Sequence, residues 1–182
     1  MALIEFCGVV SDRSEARVAF ESSCHRRRLP QDANRFADKT FICTWHSIGR
    51  DASGPVGTAE SREPYVVVDG WLRLKPGSVD EERREAGDDD ASLVRRAYER
   101  WDIEFADRIE GEFAVVVWDA RKRVLMLVRD AAGVRPLHWA PLTGGGSCVR
   151  KYRVFRADAS GDLPSPVGTR SGGFSYWRQS TQ

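Results

Sequence analysis

The nucleophilic side chains of this 182-residue sequence are four cysteines that lie far apart along the chain: Cys7, Cys24, Cys43 and Cys148. None of them forms a C-x-x-C pair, so the spacing predicts neither a zinc site nor a disulfide framework. Thiols in this arrangement suit a reducing compartment, and we expect a cytoplasmic protein. Cys7 lies inside an apolar run, where a buried thiol is often an inert core residue, so its chemistry is left open.

Two acidic positions have a structural interpretation beside any chemical one. Asp69-Gly70 follows a β-branched run at residues 65–68 and predicts a strand that ends in a tight turn. Residues 80–90 contain seven acidic side chains and predict a solvated connection. Asp90 precedes a helical pattern at residues 91–101. It fits an N-cap, because a carboxylate there accepts backbone N–H bonds and complements the helix dipole.

The elements that must position these residues are mainly strands. They are predicted at residues 3–10, 40–46, 65–68, 113–118 and 124–128, with a further edge at 136–139. A helix is predicted at residues 14–27 and a second at 91–101. The strands at 113–118 and 124–128 form a hairpin and are apolar on both faces. Continuous apolar runs need cover on both sides, so two buried sheets with helices outside them are predicted.

Composition excludes several classes of protein. The formal net charge is only +1, which argues against a dedicated nucleic-acid binder. No apolar run approaches the roughly 18 residues that a membrane-spanning helix needs, and the first ten residues lack the features of a secretory signal. We therefore expect neither a nucleic-acid nor a membrane partner. The length allows one domain with a sizeable core.

The end of the chain differs in composition from the rest. Residues 144–182 contain six Lys or Arg against two Asp or Glu, and seven of the 16 glycines. We predict a domain at residues 1–142, followed at 143–182 by a basic, glycine-rich tail that is poorly ordered or aberrant, as a frameshift would produce. Gly144-Gly-Gly146 is not followed by Lys-Ser/Thr, so it does not indicate a phosphate loop.

Three motifs around the hairpin carry a family resemblance: Gly111-Glu-Phe-Ala-Val-Val-Val-Trp-Asp119, Leu127-Val-Arg-Asp130 and Gly133-Val-Arg-Pro-Leu137. They closely resemble the glutamine-hydrolysing domain of asparagine synthetase-like proteins, a class II glutamine amidotransferase. The resemblance implies an α+β fold, the four-layer αββα sandwich of N-terminal-nucleophile hydrolases with two antiparallel sheets. It also implies that glutamine is hydrolysed by a cysteine at the mature N-terminus, whose α-amine, with a reference pKa of about 7.7–8.0, acts as base.

The resemblance assigns roles to particular residues. Cys7 resembles the family's nucleophile and needs residues 1–6 removed to expose its α-amine. Gly70 would offer an oxyanion backbone N–H, while Asp69 stands where the family has asparagine and is a degenerate oxyanion position. Arg50 is the candidate for the glutamine carboxylate. Asp90, or Asp89 one residue earlier, is the candidate for the glutamine ammonium.

Other residues of the motifs have structural roles in this comparison. Arg129, Asp130 and Arg135 match family residues for which buried arginine–aspartate pairing at strand ends is expected. The aspartate at residue 69 is similar to divergent homologues such as lasso-peptide cyclases, in which this domain is often inactive. A catalytically inactive structural or interaction domain is therefore the alternative function.

The resemblance also limits cofactors and partners. Nothing after Thr143 matches the ATP-binding synthetase domain, so we expect no cofactor in this chain, and ATP and magnesium would belong to that missing domain. The sequence then describes a truncated asparagine synthetase-like protein of asparagine biosynthesis. The expected partners are glutamine and a separate synthetase or cyclase subunit.

Overall fold

The part of the chain that the structure describes is mostly β-sheet. The structure is a computed structural model and describes residues 3–11, 14, 18, 34–48, 64–76, 89–141, 147–150 and 175–180. Its strands are β1 (Leu3–Val10), β2 (Asn34–Ala37), β3 (Phe41–Ile48), β4 (Tyr65–Leu74), β5 (Ile109–Asp119), β6 (Val124–Arg129), β7 (His138–Pro141), β8 (Ser147–Arg150) and β9 (Ser175–Ser180). Helix α1 spans Asp90–Trp101 and is followed by a 3₁₀ helix at Asp102–Arg108.

The strands form two sheets. One has the order β2-β3-β1-β8-β7 and the other the order β4-β5-β6-β9. The pairs β2–β3, β1–β8 and β7–β8 are antiparallel in the first sheet, as are β4–β5, β5–β6 and β6–β9 in the second. The two sheets belong to two compact units, which we call the five-stranded unit and the four-stranded unit. The predicted α+β class with two antiparallel sheets is confirmed.

The core of the four-stranded unit lies between α1 and one face of its sheet. Alternate residues of the strands contribute to it, together with one side of α1 and the 3₁₀ helix: Val66, Val68, Leu72, Leu93, Val94, Ala97, Tyr98, Phe105, Phe113, Val115, Val117, Met126 and Val128. Full burial of one such side chain stabilises the fold by about 1.5–3 kcal/mol. The intervening residues of the β5–β6 hairpin are buried as well, for example Ala114 and Val116, so the predicted burial of both hairpin faces is confirmed.

The turn predicted at Asp69-Gly70 is wrong. Strand β4 continues through both residues to Leu74, and Gly70 pairs with Phe113 on β5. Gly70 has a φ of 111°, and Gly111, which pairs with Leu72, has a φ of 142°. A Cβ on either glycine would overlap a backbone carbonyl of the opposite strand. The dipeptide that usually ends a strand therefore lies inside one, with a positive φ at its glycine.

The N-cap predicted at Asp90 is wrong by one residue. The cap is Asp89, whose Oδ1 accepts a hydrogen bond from the backbone N–H of Ser92 at 2.6 Å. Asp90 is the first residue of α1, where its carboxylate still complements the helix dipole. Consecutive aspartates at residues 88–90 offered the same chemistry to neighbouring positions, so the pattern did not specify the register.

The glycine-rich tail contributes one strand to each sheet, which its composition did not predict. Strand β8 lies between β1 and β7, and β9 pairs with β6 along all six residues of that strand. The domain boundary at residue 142 stays a prediction. Most of the predicted helix at residues 14–27 and of the acidic connection at residues 80–90 lies outside the described residues. No helix in the described part of the chain has the length and apolar character to cross a membrane.

Candidate active site

Cys7 lies on β1, between β3 and β8 in the five-stranded sheet. Its side chain is buried and its Sγ lies 3.5 Å from Oγ1 of Thr44 on β3. A hydroxyl at this distance is able to donate a hydrogen bond to a thiolate or to accept one from a thiol. Thr44 was not identified from the sequence, because only the pairing of β1 with β3 places residues 37 positions apart side by side.

Gly8 explains the Cys-Gly dipeptide on physical grounds. A Cβ at this position would lie 3.1 Å from the carbonyl oxygen of Ile42 and 3.2 Å from the ring of Phe41. Strand β3 thus approaches the backbone just after Cys7 so closely that a larger side chain would need it to shift. The position of the Cys7 thiol depends on this close packing. Cys43, on β3, is likewise a buried thiol.

Asp69 and Gly70 lie next to each other on β4 in the four-stranded unit. Asp69 is fully buried, with an exposed fraction of 0%. Nη1 of Arg135 lies 3.8 Å from Asp69 Oδ1, which makes a buried ion pair. The positive φ at Gly70 makes this position suitable only for glycine.

The loop after β6 is organised by Asp130. Its carboxylate accepts hydrogen bonds from the backbone N–H groups of Val134, at 3.0 Å, and Arg135, at 3.2 Å. Its own N–H donates to the carbonyl of Phe113 at 2.9 Å. The expected buried arginine–aspartate pairing therefore joins Arg135 to Asp69, whereas Asp130 holds backbone. A buried aspartate in a valine run was the sequence signal that a cationic partner was needed.

Two predicted site residues, Asp90 and Arg50, remain to be placed. Asp90 lies at the start of α1 and is partly exposed, one residue after the capping Asp89. Arg50 lies outside the described residues. Cys7 belongs to the five-stranded unit, and Asp69, Gly70 and Asp90 belong to the four-stranded unit. Among the described residues, no three His, Cys, Asp or Glu side chains are grouped as metal ligands would be.

Comparison with known proteins agrees with the motifs around the hairpin. Residues 72–149 match a family model described as a glutamine amidotransferase domain. The matched segment resembles a divergent class II glutamine amidotransferase domain. The N-terminal-nucleophile hydrolase fold fits this family.

Individual relatives match between 29% and 48% of the chain. It is 33% identical over 71 residues to amidase chyE of Penicillium rubens, which covers 39% of this chain and 11% of that protein. It is 38% identical over 53 residues to glutamine-hydrolyzing asparagine synthetase 2 of Bacillus subtilis, covering 29% and 7%. With glutamine-hydrolyzing asparagine synthetase 2 of Oryza sativa it shares 29% identity over 94 residues, covering 48% and 16%. The matched segment thus spans a small part of each relative's length.

The segment that matches the family model contains some of the candidate site residues but not others. Asp90, Asp130 and Arg135 lie inside residues 72–149, as does the β5–β6 hairpin. Cys7 and Gly70 precede this segment. The family match therefore covers helix α1 and the β5–β6 hairpin. The assignment of Cys7 as nucleophile depends instead on the resemblance of the Cys7-Gly8 dipeptide.

Proposed function

We propose that this domain hydrolyses glutamine to glutamate and ammonia, with Cys7 as the nucleophile. The observation that carries the proposal is the match of residues 72–149 to the glutamine amidotransferase model. The asparagine synthetases that the chain resembles are named as glutamine-hydrolyzing enzymes. The Cys7-Gly8 dipeptide on β1, with a hydroxyl 3.5 Å from the thiol, supports the choice of nucleophile.

The proposed reaction proceeds in two steps. The Cys7 α-amine takes the thiol proton, and the thiolate attacks the amide carbon of glutamine. The tetrahedral intermediate collapses as the carbon–nitrogen bond breaks, and ammonia leaves with the proton that the α-ammonium returns. Water then adds to the thioester and the carbon–sulfur bond breaks, which releases glutamate and restores the thiol. The α-amine must be unacylated, so the proposal requires cleavage of the peptide bond before Cys7.

The other predicted residues bind glutamine or the intermediate in this proposal. The backbone N–H of Gly70 stabilises the developing oxyanion, which forms only in the transition state and the intermediate. Arg50 binds the substrate carboxylate and Asp90 the substrate ammonium. The buried Asp69 takes no direct part, because its carboxylate is paired with Arg135.

Hydrolysis by this mechanism needs neither ATP nor a metal ion. We propose that ATP and magnesium belong to a synthetase- or cyclase-type subunit that would take up the ammonia. We expect glutamate release to be unchanged by a chelator and by omission of ATP, which would support hydrolysis by this chain without either group. A requirement for either one would contradict it.

The test is glutamate release from glutamine by protein prepared with Cys7 as its first residue. Cys7→Ala is expected to abolish release. Cys43→Ala is the matched control, since it removes a second buried thiol of the same unit and should retain most of the activity. Thermal unfolding of both variants verifies that they are folded. If the wild-type protein with an exposed Cys7 amine is folded and inactive, the proposal fails and a structural or interaction domain becomes the better account.

A further inference from the structure

We infer that Arg135 is a positioning residue, which holds the Gly70 peptide in its unusual conformation through the buried Asp69. The inference rests on the proposed function only for its catalytic consequence, the orientation of the Gly70 N–H as an oxyanion donor. The geometry itself lies wholly within the four-stranded unit. Asp69, which the resemblance marked only as a degenerate oxyanion position, then has a structural role through its carboxylate.

The contacts form a closed circuit around Gly70. Gly70 pairs with Phe113 across β4 and β5, and the Phe113 carbonyl accepts the N–H of Asp130. The Asp130 carboxylate accepts a hydrogen bond from the backbone N–H of Arg135. The Arg135 guanidinium in turn forms the ion pair with Asp69, the residue before Gly70. Three of these contacts join different segments of the chain, the fourth lies within the loop after β6, and the circuit begins and ends at the Asp69–Gly70 peptide.

The conformation of Gly70 shows why such a circuit matters. A φ of 111° inside a strand is open to glycine, but glycine has the greatest conformational freedom in the unfolded chain and little intrinsic preference for one geometry. The surroundings must therefore hold it. Asp69, immediately before it, is anchored by charge, and Phe113, opposite it, is fixed by the Asp130 loop.

Burial makes the Asp69–Arg135 pair sensitive to the loss of either partner. Asp69 is 0% exposed and Arg135 is 7% exposed. Removal of one member takes the oppositely charged partner away from a buried charge, whereas removal of both charges leaves a neutral pair of side chains. The two residues should therefore show strong coupling, with Asp69→Asn/Arg135→Met more stable than either single variant.

The first experiment follows the Gly70 amide by ¹H–¹⁵N NMR and the hydrogen-bonded Asp130 amide by hydrogen exchange. In Arg135→Met the Gly70 cross-peak should move, and exchange of the Asp130 N–H, which donates to the Phe113 carbonyl, should accelerate at least about ten-fold by local opening. Val115 and Val117, in the middle of the same sheet, should be little changed, and Arg135→Lys should retain much of the wild-type protection. Arg129→Met is the matched control, because Arg129 is exposed and lies at the start of the same loop.

The result that overturns the inference is a Gly70 amide that behaves alike in Arg135→Met and Arg129→Met. If Arg135→Met does not fold, Arg135→Lys and the neutral double variant decide the question. A double variant no more stable than the single variants then contradicts the pairing. These readouts need no activity, so they separate the failure of this inference from the failure of the proposed function.

Activity supplies the catalytic part of the test. An oxyanion donor acts in the transition state, so Arg135→Met should lower kcat by about 10- to 100-fold with little change in KM for glutamine. A general loss of structure would instead lower the active fraction, which titration with an active-site label measures. An unchanged kcat in fully folded Arg135→Met contradicts the positioning role.

Discussion

Cys7 and Gly70 are constrained in different ways by their surroundings. The Cys7 thiol is held between close-packed strands, and its Sγ lies 3.5 Å from the hydroxyl of Thr44. Gly70 is constrained by backbone, since any Cβ would overlap the carbonyl of Glu112. The first position therefore responds to changes in polar contacts, and the second responds to any added atom.

Thr44→Val tests the contact with the proposed nucleophile. The substitution keeps the shape of the side chain and removes its hydroxyl, so a hydrogen bond worth about 1 kcal/mol is lost. We expect the rate of glutamate release to fall by roughly five-fold, as this energy implies. Steady-state kinetics measure the effect, and Thr44→Ser, which keeps the hydroxyl, should stay near the wild-type rate. Equal rates for the valine and serine variants would show that the contact is irrelevant to catalysis.

Gly70→Ala tests the backbone conformation of β4 at Gly70. The new methyl group meets both a positive φ and a backbone carbonyl, so the free energy of unfolding should fall by clearly more than the about 1–2 kcal/mol of a left-handed alanine. Gly133→Ala is the matched control, with a φ of 66° and no atom closer than 3.6 Å to the added Cβ. Urea unfolding compares the two. A smaller loss of unfolding free energy in Gly70→Ala than in Gly133→Ala would show that β4 lacks the positive φ at Gly70.

At the scale of elements, helix α1 and the β5–β6 hairpin share one buried core. The apolar runs of the hairpin predicted both strands, because strands buried on both faces need no alternation. The positive φ at Gly70 was not predictable in the same way. Gly70 lies against the β5 backbone at Glu112 and Phe113, which are about forty residues away in sequence and meet β4 only in the folded sheet.

The cap of α1 provides a test at this scale. Asp89→Ala removes the acceptor for the Ser92 N–H and should cost about 1 kcal/mol of folding free energy. Asp90→Ala should cost less, since it removes a carboxylate that complements the helix dipole but leaves the capping acceptor in place. It should instead raise the KM for glutamine, as the proposed partner of the substrate ammonium. Chemical denaturation and steady-state kinetics make both comparisons, and the reverse order of stabilities would place the cap at Asp90.

At the scale of the whole molecule, both sheets include strands from distant parts of the chain. β8 joins β1 in the five-stranded sheet, and β9 completes the four-stranded sheet beside β6. Sequence patterns did not predict these strands, because each has only four to six residues within glycine-rich surroundings. Their identity as strands depends on the edge that each one meets, which is a property of the assembled sheet.

Removal of β9 tests this role of the tail. A chain that ends at Phe174 leaves β6 as an unpaired edge, and its residues Val124–Val128 are apolar throughout. We expect a lower melting temperature and concentration-dependent association, because an exposed apolar edge pairs readily with other chains. Differential scanning calorimetry and light scattering measure these effects. A chain that lacks only Thr181 and Gln182 should behave as wild type, and the same behaviour in the shorter chain would exclude β9 from the sheet.

The central claim is that Cys7 is the nucleophile of a glutaminase, and intact mass spectrometry tests it most directly. The intact mass of protein expressed in its native host is measured before and after treatment with a glutamine-like diazoketone that alkylates such cysteines. The account predicts a chain that begins at Cys7 and gains one label on that residue, with Cys43 unmodified. A chain that retains residues before Cys7 and takes up no label would contradict it.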